Sequence, residues 1–188
     1  MPDGASVNKL IVLLLSGLAW VNSARAADTV EYEFTGRVTE LTCKVELYSY
    51  TGTPLSALYV GGLVIDTLPA IGDITWVSNA GDYYFRVSCP SGYKASTVTG
   101  KISTSQEVDA ATLAIKSEDR NNQFGFVFKD TDQNMMIDFS TAENTQTLVQ
   151  DGDVKRADFN FIVGVVPYGV NVNYGFLQAS IMFTATFE

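Results

Sequence analysis

The stretch GFLQASIMFTATFE, residues 175–188, alternates by side-chain type. Gly175, Leu177, Ala179, Ile181, Phe183, Ala185 and Phe187 share one parity, and all are apolar or small. The other parity holds Gln178, Ser180, Thr184, Thr186 and Glu188, with Phe176 and Met182 as exceptions. A period of two is the signature of a half-buried strand. Similar patterning recurs along the chain. VEYEFTGRV (30–38), LTCKVEL (41–47), ALYVGGLVID (57–66), DYYFRVSC (82–89) and STVTGKIST (96–104) read as strands. So do ATLAIKS (111–117), FGFVFKD (124–130), MMIDFST (135–141) and ADFNFIVGVV (157–166). Thr131-Asp132-Gln133-Asn134 reads as a hairpin turn, and Pro167-Tyr168-Gly169 as the turn before the last strand. Residues 49–53 and 143–153 read as loops. No segment sustains a helical period.

Turn signals about every ten residues suggest an all-β, immunoglobulin-like β-sandwich. The terminal strand raises a question of its own. It is apolar on one face and runs to the last residue, so something must cover it. An unpaired apolar edge is an aggregation hazard.

The N-terminal residues fix the expected compartment. MPDGASVNKLIVLLLSGLAWVNSARA has a sparse polar start with Lys9, an apolar run from Leu10 to Val21, and Ala24-Arg25-Ala26. This is the pattern of a secretory signal peptide over residues 1–26, its apolar run well short of the roughly 20 residues that span a bilayer. The expected mature chain is residues 27–188, one domain in length. Without the leader, the 12 basic and 21 acidic side chains become 10 and 20, a net charge of −10. An acidic exported domain argues against a nucleic-acid partner, since phosphate binding needs clustered Lys and Arg. Cys43 and Cys89 are the two cysteines. In an oxidising compartment such a pair is most simply one disulfide, with a stabilisation of roughly 4 kcal/mol on the chain-entropy account.

Candidate chemistry changes the picture little. The chain has no His, so no Ser-His-Asp or Cys-His arrangement is available, and a metal site would lack ligands beyond the two cysteines. No catalytic residues, cofactor or metal are expected. The carboxylates sit at polar strand positions and in turns, where a solvated face is the simpler reading. Asp130-Thr131-Asp132-Gln133-Asn134 imitates the start of a calcium loop. It then has Met135 where the sharp turn needs Gly and Thr141 where a bidentate Glu is needed. The hairpin turn is the better account.

A second one-sided strand stands near the expected mature start. Val30, Tyr32, Phe34, Gly36 and Val38 share one parity; Thr29, Glu31, Glu33, Thr35 and Arg37 share the other. Periodicity alone reads this as the first strand of the chain's own sandwich. At this point the sequence resembles the pilin subunits assembled by the periplasmic chaperone and outer-membrane usher of Gram-negative bacteria, type 1 and P pilus-like. The alternating start with Gly36, then Val38 and Cys43, carries the resemblance. So do the single cysteine pair, the second member following Tyr83-Tyr84-Phe85-Arg86-Val87-Ser88, and FGFVFKDTDQNMMID as a mid-chain hairpin. The Phe159-x-Phe161 strand and the terminal strand from Gly175 to a penultimate aromatic complete it. The family more often has Tyr at that last position; Phe187 keeps the ring and loses the hydroxyl.

The resemblance implies an immunoglobulin-like sandwich lacking its final strand, the pilin fold, completed by a donor strand from another chain. Residues 27–40 would be the donor extension, with Val30, Tyr32, Phe34, Gly36 and Val38 as its face, and 41–188 the pilin domain. Gly175, Leu177, Ala179, Ile181, Phe183, Ala185 and Phe187 would line the groove that a chaperone strand fills first. The implied function is a structural subunit of a surface fimbria, polymerising by donor-strand exchange and supporting adhesion, with no catalysis. The implied partners are neighbouring subunits, a periplasmic pilus chaperone, an outer-membrane usher and, through the assembled fimbria, a host receptor. The implied location is the bacterial cell surface, reached through the periplasm. Two alternatives stand beside it: a single-domain adhesin that binds a host receptor, and a self-contained secreted β-sandwich.

Overall fold

In a computed structural model of the protein, residues 42–58, 69–77, 83–117, 122–170 and 177–188 are described. All belong to the unit Thr42–Glu188. The leader read over 1–26, the face formed by Val30, Tyr32, Phe34, Gly36 and Val38, and Gly175 lie outside the described residues, as does most of the strand read over 57–66.

The described residues form twelve strands: β1 (Lys44–Ser49), β2 (Pro54–Leu55), β3 (Thr75–Trp76), β4 (Tyr83–Pro90), β5 (Thr97–Ser103), β6 (Ile115–Lys116), β7 (Phe124–Asp130), β8 (Met135–Met136), β9 (Asn144–Thr147), β10 (Val149–Asp151), β11 (Val154–Pro167) and β12 (Met182–Phe187). They make two antiparallel sheets. The larger runs β2-β1-β4-β11-β7-β6, with β3, β8 and β10 beside it; the smaller runs β12-β5-β9. In an immunoglobulin constant-type sandwich, strands A, B, E and D share one sheet and C, F and G the other. Here β1, β4, β11 and β7 take the A-B-E-D places, and β5 and β12 take those of C and F. Beside β12, where G belongs, no described strand pairs.

β11 is the spine. Its first half alternates, turning Ala157, Phe159 and Phe161 inward; from Phe161 to Pro167 every residue is buried. β4 and then β3 pair along one edge, and β10 and then β7 along the other. Continuous burial needs cover on both faces, which Ile74 and Trp76 supply over Gly164. A Cβ there would lie 2.7 Å from Ile74 Cγ2 and 2.9 Å from Trp76 Cε3, so only glycine fits. The core gathers Phe124, Phe126, Phe128, Phe139 and Phe161 at one end and Val87, Val98, Ala157 and Phe159 at the other. Each large apolar side chain moved fully out of water stabilises by about 1.5–3 kcal/mol before entropy is counted.

The Cys43–Cys89 disulfide is formed. It continues the β1–β4 register by one step, beyond Lys44 opposite Ser88. On the outer face of the same strands, Arg86 donates from Nε and Nη2 to both oxygens of Asp158, at 2.7 and 2.6 Å. Its guanidinium also lies over the stacked rings of Tyr48 and Tyr84. This bidentate geometry locks β4 to β11.

Several boundaries differ from the sequence reading. The loop read over 143–153 contains β9 and β10. β9 is the polar run NTQT, an edge strand whose Asn144 is buried because its amide donates to Asp130 Oδ2 at 2.8 Å. A strand held by a buried hydrogen bond carries no apolar alternation. The strand read over 111–117 shrinks to Ile115–Lys116. Asp109 caps a turn there through the Ala111 and Thr112 amides, and Leu113 has φ 59°. The strand read over 135–141 shrinks to Met135–Met136, because Asp138 folds the next residues into a second turn through Ser140. The turn at 131–134 is a β7–β8 hairpin with Asn134 at φ 56°. Its carboxylates serve the hairpin: Asp130 accepts from the Gln133 amide, and Asp132 from the Asn160 amide and side chain.

Candidate functional site

Among the described residues, the terminal strand is left half covered. From Leu177 to Glu188 exposure alternates without a break: odd residues are half-buried, even residues exposed. Leu177, Ala179, Ile181 and Phe183 pack against the main core cluster, and Phe183, Ala185 and Phe187 against the second. None of the six is fully buried. Phe183 is best held, with its ring centroid 4.6 Å from Phe85 and 5.2 Å from Phe159. Phe187 meets Tyr93 edge-on at 5.3 Å. Met182, the apolar exception to the alternation, faces out at 62 % exposure.

Gly100 makes room for this arrangement. It lies opposite Ala185 on β5. A Cβ there would come within 2.6 Å of Phe159 Cε1 and 2.8 Å of Phe183 Cζ. The two rings therefore rest against bare backbone.

The backbone of β12 is one-sided too. Glu188 and Thr97 exchange both N–H···O bonds, at 3.1 Å each. Hydrogen-bonded and non-bonded pairs alternate along an antiparallel ladder. Thr186, Thr184 and Met182, opposite Thr99, Lys101 and Ser103, are therefore the residues bonded to β5. The N–H and C=O groups of Phe183, Ala185 and Phe187 point to the other edge, where no described strand lies. Inward apolar side chains and an open row of backbone groups thus belong to the same residues. Such an edge can take an added strand by main-chain hydrogen bonding, with alternate side chains meeting pockets.

Sequence reasoning grouped the β12 residues correctly by face and missed their neighbours. Gly100, Phe85 and Phe159 complete the surroundings of Phe183, and only the tertiary fold brings them there. The β12 ladder runs from Met182 to Phe187; Leu177 to Ile181 keep the alternation outside it. Ser180 is instead tied by its amide to Gln106 Oε1 and by its carbonyl to the Thr104 hydroxyl.

Lys44, Lys116, Glu46, Asp138 and Asp109 are held in the forms they ordinarily carry at neutral pH. Lys44, through Glu46, and Lys116, through Glu107, are raised by their partners' hydrogen bonds. Glu46 is lowered by Lys44, and Asp138 by the Ser140 hydroxyl and amide. Burial pushes Asp109 up, but the Thr112 hydroxyl and amide outweigh it and the carboxyl ends low. These are turns and ion pairs, not a general acid or base poised near neutrality.

No protein-family model matches the chain, and no curated protein matches its sequence. Solved structures do match. The P pilus rod subunit PapA is 16% identical with a TM-score of 0.51, the match covering 84% of this chain and 99% of that one. A subunit from the structure of a chaperone-usher pilus, solved to explain rod uncoiling, is 15% identical with a TM-score of 0.51, over 86% and 97%. The CupB6 tip adhesin of Pseudomonas aeruginosa is 15% identical with a TM-score of 0.46; the match covers 68% of this chain and only 34% of the adhesin's length. The chain has the fold of chaperone-usher pilus subunits, an immunoglobulin-like sandwich with no described strand in the place of the last one.

Proposed function

We propose that this protein is a structural subunit of a bacterial surface fimbria, joined to its neighbours by donor-strand exchange. One observation carries the reading. The open backbone groups of Phe183, Ala185 and Phe187 sit on the strand whose inward side chains stay half-buried, at the position an immunoglobulin sandwich fills with its last strand. A strand from outside would bond to those groups and cover those side chains. In the periplasm the cover is a chaperone strand. At an outer-membrane usher it is replaced by residues 27–40 of the next subunit. The donor face is Val30, Tyr32, Phe34, Gly36 and Val38, with Gly36 passing where the groove is shallow. Residues 1–26 direct export and are removed, and the assembled fimbria supports adhesion. The joining is non-covalent and no catalysis is involved.

The test is periplasmic expression of residues 27–188 with and without the cognate chaperone, followed by addition of a peptide spanning 27–40. A much higher soluble yield with the chaperone, and a sharp rise in the melting temperature of the lone chain with the peptide, are expected. A stable lone monomer indifferent to the peptide would overturn the reading. Gly36→Leu tests the donor face separately. It should block joining to the preceding subunit and leave chaperone binding intact, as read by incorporation into fibres against chaperone co-purification.

A further inference from the structure

The smaller sheet has a second open stretch, on the side away from the free edge of β12. β5 pairs with β12 as far as Ser103, but with β9 only from Thr97 to Gly100. The ladder parity fixes what is left over. Leu148 donates to Ser96 O at 2.8 Å, so Ser96, Val98 and Gly100 are the β5-side residues bonded towards β9. Ile102 is next in that series. The residue that would face it is Ala142, but the Ala142 amide donates to Asp138 O at 2.8 Å within the Asp138 turn. The N–H and C=O of Ile102 therefore point outward with no hydrogen-bond partner among the described residues. Yet Ile102 is only 7% exposed. Buried orphan backbone groups are rare in folded proteins.

A cleft of about 310 Å³ opens at this point. Ile102, Ile137, Phe161 and Phe183 give it an apolar floor, and Asp138 and Glu143 stand at its wall. The volume lies within the range of small-ligand pockets, roughly 300–1,000 Å³, and is ample for one large apolar side chain. Asp138 is held ionised by the Ser140 hydroxyl and amide. Asp130 also lines the cleft, with its carboxylate engaged by Gln133 and Asn144. Lys101 is the cation at this edge; its Nζ is taken by Ser140 O at 2.9 Å and lies 3.7 Å from Glu143.

We infer that this cleft binds a short extended segment of a partner protein, with a large apolar side chain flanked by Lys or Arg. Three independent features select that occupant. A peptide backbone supplies the donor and acceptor that Ile102 lacks. An apolar side chain fills the floor. A basic neighbour answers Asp138 and the excess negative charge left at the cleft after Lys101 pairs with Glu143, and like charge there is penalised. The cleft shares the Phe183 side chain with β12 but lies beside β5, on the side away from the outer edge of β12, and does not depend on the fimbrial reading.

The test titrates the isotope-labelled protein with the peptides acetyl-Lys-Leu-Phe-Lys-amide and acetyl-Glu-Leu-Phe-Glu-amide, and with phenethylamine. The backbone amide of Ile102 and the methyl groups of Ile102 and Ile137 are followed by NMR. Saturable shifts with the basic peptide are expected, with the Ile102 amide moving as a new hydrogen bond forms. The acidic peptide should bind about ten-fold more weakly. Phenethylamine, which has no peptide group, should shift the methyls and leave the amide in place. Glu143→Lys, a surface change, should narrow or reverse the preference between the two peptides, and Ala142→Trp should block the cleft. No saturable shift, equal binding of the two peptides, or shifts confined to β12 would each overturn the assignment. The last outcome would leave the fimbrial reading standing.

Discussion

Gly100 shows how much one residue decides. In the sequence it is a glycine inside a strand pattern, STVTGKIST, which signals a bulge or a close approach without saying of what. In the fold it is the place where the Phe159 and Phe183 rings meet β5. Gly100→Ala forces both rings to move and is expected to cost about 1–3 kcal/mol, the usual cost of overpacking a core. Urea unfolding at neutral pH measures it, and an unchanged midpoint would mean that the rings rearrange freely. Asp138 works at the same scale through charge. Its folded pKa is lowered, so the stability it contributes is complete above the unfolded value of about 3.9 and is lost as pH falls through the lower folded value. Asp138→Asn should therefore differ from the parent in urea midpoint at pH 6, with the difference closing on acidification below pH ~3. A gap that widens at low pH would have the wrong sign for this account. The partners of Gly100 were not legible in the sequence, because Phe159 and Phe183 reach it through the fold; the Asp138–Ser140 turn is local, and the strand pattern read over 135–141 hid it.

Among the elements, the β1–β4 pair and β12 make opposite use of their edges. β1 pairs along its whole length with β4 and, at Leu47 and Tyr48, with β2, and the disulfide extends the β4 register. Replacing both Cys43 and Cys89 by Ala releases a separation of 46 positions in the unfolded chain. The expected loss is roughly 4 kcal/mol, read from denaturation midpoints of the reduced-cysteine-free protein. Among the described residues, β12 is paired on one side alone. Amide exchange in the chain without a donor should be slow at Met182, Thr184 and Thr186 and fast at Phe183, Ala185 and Phe187. The peptide of residues 27–40 should then slow the fast set. Equal protection of both sets before any peptide is added would mean that the chain covers its own edge. The period of two in β12 was plain from the sequence. Polar β9 was not, since Asn144 is held by Asp130 and by position rather than by an apolar face.

At the scale of the molecule, the larger sheet is built around β11 and the smaller around β5, and the two differ in completeness. The larger is closed over its centre by Phe161, Val163 and Val165. Among the described residues, the smaller has no strand beside β12 along its length or beside β5 past Gly100. A sandwich with an open position stabilises whatever strand fills it, by mass action on the folded state. The chain's alternation, its turn residues and its pair of cysteines determined by themselves that this is an all-β protein, which strands it has for the most part, and which face of the last strand is apolar. These are local properties, carried by periods of two and by single residues in turns. Which strands are neighbours, where a place stands empty beside β12, and that Ile102 faces a cleft with its backbone unpaired, were decided only by the tertiary structure. Pairing is a relation between segments far apart in the chain, so no local pattern encodes it.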